Sequence, residues 1–202
     1  MIQNIRRFAP AAARNRQPIL EVLQRHLPTS GLILEVASGT GEHCVYFAMN
    51  IGGQLIFQPS DPDVEARSSI DAWVAAHGLT NVRPALDLDA SKEAWPINSA
   101  GAVLCINMIH IAPWTATAGL MAGAARVLPA GGVLFLYGPY HRDGRPTAGS
   151  NAAFDRDLRQ RNPLWGIRDL EAVTDLASTQ GFERIAVEQM PANNLSVIFA
   201  KI

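Results

Sequence analysis

The end of the chain constrains the fold most. Two strand-like apolar runs, Phe182 to Met190 and Leu195 to Lys201, are separated by only Pro191-Ala192-Asn193-Asn194. Four residues cannot carry a crossover helix, so these runs must be antiparallel neighbours. Everything before them alternates short apolar runs with helix-period stretches. Gly31 to Val36 reads as a buried strand, and the next helix carries Val45 to Met49. Leu55 to Phe57 is a second strand, followed by a helix with Ile70, Trp73 and Val74 on one face and Pro62 in its first turn. Val82 to Leu86 reads as a weaker strand and Ala102 to Ile106 as a strong one. A helix from about Thr117 to Leu128 is stopped by Pro129 and Gly131-Gly132, and Val133 to Tyr137 follows as a strand. Alternation of this kind implies right-handed crossovers and a parallel sheet covered on both faces. The expectation is an α/β, Rossmann-like fold: a seven-stranded, mostly parallel sheet with a C-terminal antiparallel hairpin. A plain dinucleotide-binding domain more often ends on a parallel strand.

Composition narrows the class. With 202 residues, one domain spanning 1–202 is expected, carrying an N-terminal lid or helix over 1–27 and an insertion over 138–167. Hydrophobic residues at 48% and charged residues at 17% exclude a disordered chain. Seventeen Lys and Arg against eighteen Asp and Glu argue against nucleic-acid binding through overall charge. Cys44 and Cys105 match no metal spacing and read as reduced core thiols, so no metal site is expected. Up to Glu21 the chain carries Arg6, Arg7, Arg14 and Arg16 and no acid, but Pro10 and Arg14 break the apolar run a secretory signal needs. The most apolar stretch elsewhere, Gly101 to Trp114, is short of the ~20 residues that span a bilayer. A soluble cytoplasmic protein is expected, with no membrane partner.

Glu35-Val36-Ala37-Ser38-Gly39-Thr40-Gly41-Glu42-His43 follows a strand and opens a helix. Glycines there let the backbone turn sharply and pass close to a ligand. The third glycine of the dinucleotide fingerprint is replaced by Cys44, and Glu35 at the strand end suits a cationic ligand better than a diphosphate. Asp61 ends the second strand, where a carboxylate can accept from both ribose hydroxyls; capping of the next helix is the plainer role. Asp87 follows the third strand, as an acceptor for an adenine amino group or as an ordinary loop residue. Asn107 and His110 lie at the carboxyl end of the fourth strand, where His110 faces the crevice or sits as a core histidine.

A resemblance joins these motifs. Arg14-Asn15-Arg16-Gln17-Pro18-Ile19-Leu20, the Glu35 to His43 run and Gln58-Pro59-Ser60-Asp61 are similar to the methyltransferase-like 26 family. So are Leu136 to Tyr140, Ser150 to Asp155, Trp165 to Asp169 and Met190 to Asn194. The resemblance covers almost the whole chain and implies a class I S-adenosylmethionine-dependent methyltransferase fold, with strand order 3-2-1-4-5-7-6. It implies S-adenosylmethionine as cofactor and S-adenosylhomocysteine as product. Glu35, Ala37, Gly39 and Gly41 would flank the methionine moiety, Asp61 the ribose and Asp87 the adenine, with Asn107 and Arg14 also on the cofactor.

The acceptor is less defined. His110, Tyr140 and His141 are the catalytic candidates; Tyr137, Asn151, Arg168, Asn193 and Asn194 are the substrate-binding ones. No Asn/Asp-Pro-Pro-Tyr/Phe block follows the fourth strand, where Ile111-Ala112-Pro113-Trp114 stands instead, so the acceptor is expected to be a small molecule. Arg14 would precede a helix starting near Pro18 and grip a carboxylate of the cofactor or the acceptor. From Gly138 to Arg168 six arginines face three aspartates, a rim that favours an anionic acceptor or is a solvated helix face. Two alternatives stay open: a nicotinamide-dependent oxidoreductase and a non-catalytic cofactor-binding scaffold.

Overall fold

The computed structural model describes residues 5–202. In chain order the strands are β1 (Ser30–Val36), β2 (Gln54–Ser60), β3 (Ala102–Ile106), β4 (Val133–Arg142), β5 (Arg145–Pro146), β6 (Arg168–Asp169), β7 (Phe182–Met190) and β8 (Asn194–Lys201). The helices are α1 (Pro10–His26), α2 (Glu42–Asn50), α3 (Val64–His77), α4 (Trp114–Val127), α5 (Gly149–Arg161) and α6 (Leu170–Thr179). The sheet runs β2-β1-β3-β4-β8-β7. β2, β1, β3 and β4 are parallel, with Ile33 beside Phe57 and Ala102, and Leu104 beside Phe135. β8 lies antiparallel to β4 and β7 antiparallel to β8, as the four-residue link requires.

The expected third strand is reduced to two isolated bridges, Phe57 to Val82 and Ser60 to Leu86. Prolines on both sides explain the loss. Pro59 offers β2 no donor and Pro84 offers its neighbour none, so the ladder breaks between the Arg83 N bond to Phe57 O and the Leu86 N bond to Pro59 O. The register slips by one residue across that gap. Even so, Asp61 N donates to Leu86 O at 3.0 Å, which fixes the end of β2 where the site begins.

Strand alternation sorts the core into two layers. On β4, Val133, Phe135 and Tyr137 face one layer with Ile19 and Leu23 of α1 and Cys44 and Phe47 of α2. Leu134, Leu136 and Tyr140 face the other, against Leu120 and Ala124 of α4 and Val173 of α6. Both cysteines are buried and free, as a reduced core requires.

Several boundaries differ from the expectation. α1 starts at Pro10, its first-turn proline, and runs through Pro18, whose missing N–H leaves the Arg14 carbonyl without its i+4 donor. Pro62 lies ahead of α3, which Asp63 caps by accepting from Glu65 N at 2.9 Å. β4 continues past Tyr137 to Arg142 and doubles back through Asp143-Gly144, both at positive φ (50° and 69°), into β5. Asp-Gly is the sequence signature of such a two-residue hairpin. Among the described residues no helix is long and apolar enough to cross a membrane.

Candidate active site

All the parallel strands end at one edge, and the turn after β1 is the tightest element there. Ala37 (φ 57°), Gly39 (φ 58°) and Gly41 (φ 89°) all lie in the left-handed region. At Ala37 that conformation costs about 1 kcal/mol relative to glycine, so the departure from glycine is more than one added methyl. Gly41 has no alternative: a Cβ would stand 2.8 Å from Ile70 Cα. Gly39 is different, because nothing lies within 4 Å of where its Cβ would be, leaving open space before the turn. Asp61 braces the turn, accepting from Gly39 N at 3.0 Å and Asp63 N at 2.9 Å. It therefore holds the loop as well as any ligand, more than a strand-end carboxylate was expected to do.

Behind the turn, Glu35 is 2% exposed and its Oε2 has no partner among the described residues. Burial lifts its carboxyl from the usual range to about 8; a hydrogen bond with Ser38 pulls the other way and the Asp61 charge adds to the rise. A buried acid of this kind accommodates a cation brought beside it.

Two cavities open on this edge, and the segment leaving β3 contributes to both. The smaller, about 270 Å³, is a mostly apolar slot between Ala37, Leu88, Met108 and Ala112. Asp89 stands at its wall, its Oδ1 taken up by Ser91 N and Ser91 Oγ at 2.9 and 2.7 Å. Asp87, the expected adenine partner, is exposed and pairs instead with Arg67 at 3.2 Å. Asp89, two residues on, is the acid at the slot; the buried Leu88 between them marks where the chain turns inward.

The larger cavity, about 620 Å³, gathers most of the expected acceptor residues. Arg14 and Asn15 enter it from α1, and Asn107 (φ 62°) and His110 from the end of β3. Tyr137 comes from β4, and Ser150, Asn151 and Phe154 from the first turns of α5. The β7–β8 connection closes it with Asn193 and Asn194. Asn151 Nδ2 donates to Asn193 O at 3.0 Å and to Thr147 Oγ1 at 2.9 Å, tying α5 to the hairpin tip. Asn193 Nδ2 returns a bond to Ser150 Oγ at 3.2 Å.

His110 is 2% exposed, with Nδ1 unpartnered among the described residues. Burial, and then the Arg168 charge, push it down to about 3, so it is a neutral imidazole at neutral pH. Gly138 makes room for it, since a Cβ there would collide with the His110 ring. Asn15 joins the cavity to the start of α2, just after the glycine turn: its Oδ1 meets His43 Nε2 at 2.8 Å, and it opposes by hydrogen bonding the rise that burial imposes on Tyr137. Asn15 had no role in the sequence reading beyond its place in the Arg14 block.

Three expected residues stand outside this cavity. Tyr140 is fully buried in the opposite core layer, its hydroxyl unpartnered among the described residues, because its even parity on β4 points it away from Tyr137. His141 faces Asp155 at 3.8 Å. Arg168 spends its guanidinium on the carbonyls of Ile109, Ala112 and Leu164 at 2.9, 2.6 and 3.0 Å, which makes it a clamp on the segment after β3. Among the described residues no three His, Cys, Asp or Glu side chains are grouped to hold a metal ion.

The fold is shared with solved methyltransferase structures at low identity. An O-methyltransferase family protein from Burkholderia thailandensis matches with a TM-score of 0.80 and 17% identity over 95% of this chain and 57% of that one. An O-methyltransferase family 2 protein from Planctomyces limnophilus, in complex with apigenin, matches with a TM-score of 0.81 and 16% identity over 95% and 58%. CalO1, a methyltransferase of calicheamicin biosynthesis solved with S-adenosylhomocysteine, matches with a TM-score of 0.74 and 17% identity over 95% and 54%. The chain thus spans little more than half the length of these structures, and the architecture common to all of them is the Rossmann-like methyltransferase fold. At the level of sequence families, residues 6–201 match the family described as "Protein of unknown function (DUF938)", and the chain belongs to it.

Proposed function

We propose that this protein is an S-adenosylmethionine-dependent methyltransferase acting on a small-molecule acceptor. The observation that carries this reading is the pair of cavities on either side of the segment after β3. The small apolar slot beside the positive-φ turn suits a purine, and the larger cavity beyond it suits a second molecule. The solved neighbours described as O-methyltransferases, one with S-adenosylhomocysteine, support it, as do the motifs similar to the methyltransferase-like 26 family.

The residues present fit the cofactor. The turn at Gly39 leaves room for close approach, Asp61 retains lone pairs for ribose hydroxyls, and Glu35, buried behind the turn, would be drawn towards its charged form by a cation brought near it. When bound, S-adenosylmethionine supplies an already activated methyl group. The chain's work is then alignment and exclusion of water. Asn107 and Tyr137 position the acceptor from the strand ends, and neutral His110 offers it a hydrogen-bonding ring nitrogen. Neither titratable ring is tuned to take a proton near neutrality: His110 is pushed far down and Tyr137 up.

A nicotinamide cofactor fits less well, because Cys44 in place of the third glycine is buried in the core of α2. Calorimetric titration separates the readings: adenosylhomocysteine should bind and NAD should not. Asp61→Asn, chosen because Ala would strip the brace from Gly39, should weaken adenosylhomocysteine by roughly tenfold to a hundredfold. Asp63→Ala should leave that affinity unchanged and cost only the α3 cap. Wild-type affinity in a folded Asp61→Asn protein would remove the ribose contact. Binding of adenosylhomocysteine with no turnover of adenosylmethionine on any metabolite pool would favour the scaffold.

A further inference from the structure

The larger cavity has a charge pattern that the proposed reaction does not require. Among the described residues Arg14 is its charged wall residue, and no Asp or Glu lines it. Among the described residues the Arg14 guanidinium makes no ion pair and no hydrogen bond, unlike Arg7, Arg25, Arg159 and Arg161, each held by a carboxylate. The first turn of α5 opens on the same space through Ser150 and Asn151. That turn has no side-chain cap and no acidic residue, so among the described residues the amides of Gly149, Ser150 and Asn151 have no protein acceptor and the helix dipole is uncompensated. A third unmet group is independent of both: His110, in the cavity wall and 2% exposed, has no partner for Nδ1 among the described residues.

Asn15, Asn107, Asn193 and Asn194 also reach the cavity, but most of its remaining wall surface is apolar. Ile111, Phe154 and Pro191 stand exposed at the rim, with Pro139 buried deeper in. Phe154 meets the His110 ring edge-on at 6.2 Å between centroids. A hydrophilic metabolite would leave these surfaces unmatched, and a cation would meet an arginine and a helix N-terminus with nothing to balance it.

We infer that the acceptor is a small carboxylic acid with an apolar body, its carboxylate held by Arg14 and the N-terminal turn of α5. The apolar body lies against Ile111 and Phe154, and a polar substituent reaches the His110 ring. Arg14 thereby serves the acceptor and not the methionine carboxylate: it lines the larger cavity, whereas Ala37 of the glycine turn lines the smaller slot. The inference rests on the proposed methyltransferase reading, because the acceptor is defined relative to a bound cofactor.

Three probes of one shape and different charge test it: 4-hydroxybenzoate, 4-hydroxybenzamide and 4-hydroxybenzylamine, titrated into the full chain with and without saturating adenosylhomocysteine. The carboxylate should bind about tenfold more tightly than the amide, and the amine least, the margin expected of a charge-assisted pair in a partly wet site. Arg14→Ala should bring the carboxylate down to the amide, and Arg14→Lys should restore part of the difference. Neither variant should change the affinity for adenosylhomocysteine. Equal binding of the three probes, or a preference for the amine, would overturn the inference. So would a loss of adenosylhomocysteine affinity in Arg14→Ala, which would give the guanidinium to the cofactor. Failure of the wild type to bind adenosylhomocysteine at all would instead defeat the methyltransferase reading, and the probe series without cofactor would still report the cavity's charge preference.

Discussion

Glu35 keeps a carboxyl group where water does not reach it, one strand-end away from a second carboxylate, Asp61. Its proton affinity is raised to about 8 in the folded chain, whereas the unfolded chain releases that proton in the ordinary carboxylate range. Between those two values the native state binds the extra proton. Stability from this group is therefore complete below about pH 4.5 and is lost as pH rises through 8, by up to about 1.4 kcal/mol per pH unit. Glu35→Gln should flatten that slope. Urea unfolding at pH 5 and pH 9 should find the variant more stable than wild type at pH 9 by on the order of 2 kcal/mol or more, and close to it at pH 5. Parallel pH profiles for the two proteins would show that the carboxyl is solvated after all. Parity decides a neighbouring case: Tyr137 and Tyr140 lie three apart on one strand, so they face opposite layers and only the first can meet a ligand in the larger cavity.

At the scale of elements, the segment between β3 and α4 matters most, because it separates the two cavities. Arg168 fastens it from β6, a two-residue strand paired with the end of β4, and stacks over Trp114 at 5.7 Å. Arg168→Lys keeps the charge and loses the fork that reaches three carbonyls. It should cost about 1–3 kcal/mol in thermal or urea unfolding and weaken binding in both cavities together. A stability loss with both affinities intact would limit Arg168 to a structural role. Such dependencies explain what the sequence discloses. Continuous apolar runs such as Ala102 to Ile106 announce buried parallel strands, and the short C-terminal link announces the hairpin. The grouping of residues around the larger cavity is legible too, since strand-end position alone brings Asn107, His110 and Tyr137 to one edge. The third strand is not, because prolines at 59 and 84 remove ladder donors while leaving the apolar pattern intact. Nor is the choice between Asp87 and Asp89, which depends on a local turn that periodicity does not encode.

The whole molecule adds a coupling between α1 and the glycine turn after β1. Glu42, 7% exposed at the start of α2, accepts from Ala9 N at 2.6 Å and from Thr40 Oγ1 at 3.0 Å, so one carboxylate joins the residue before α1 to the glycine turn. Ser69 makes a second link, accepting from Arg7 N and donating to Thr40 O, each at 2.8 Å. Asn15 makes a third through His43. α1 therefore cannot lift away without disturbing the turn, and a ligand that steadies the turn steadies α1. Hydrogen exchange should show adenosylhomocysteine slowing the amides of residues 37–45 and, with them, those of residues 7–15. Glu42→Ala leaves Ala9 N without its acceptor and removes one of the three links. In that variant the ligand should still protect 37–45, while protection over 7–15 falls several-fold. Protection of 7–15 that persists undiminished would mean that the Glu42 link is dispensable and that α1 follows the turn through Ser69, Asn15 and its apolar face, with Ile19 and Leu23 against the sheet.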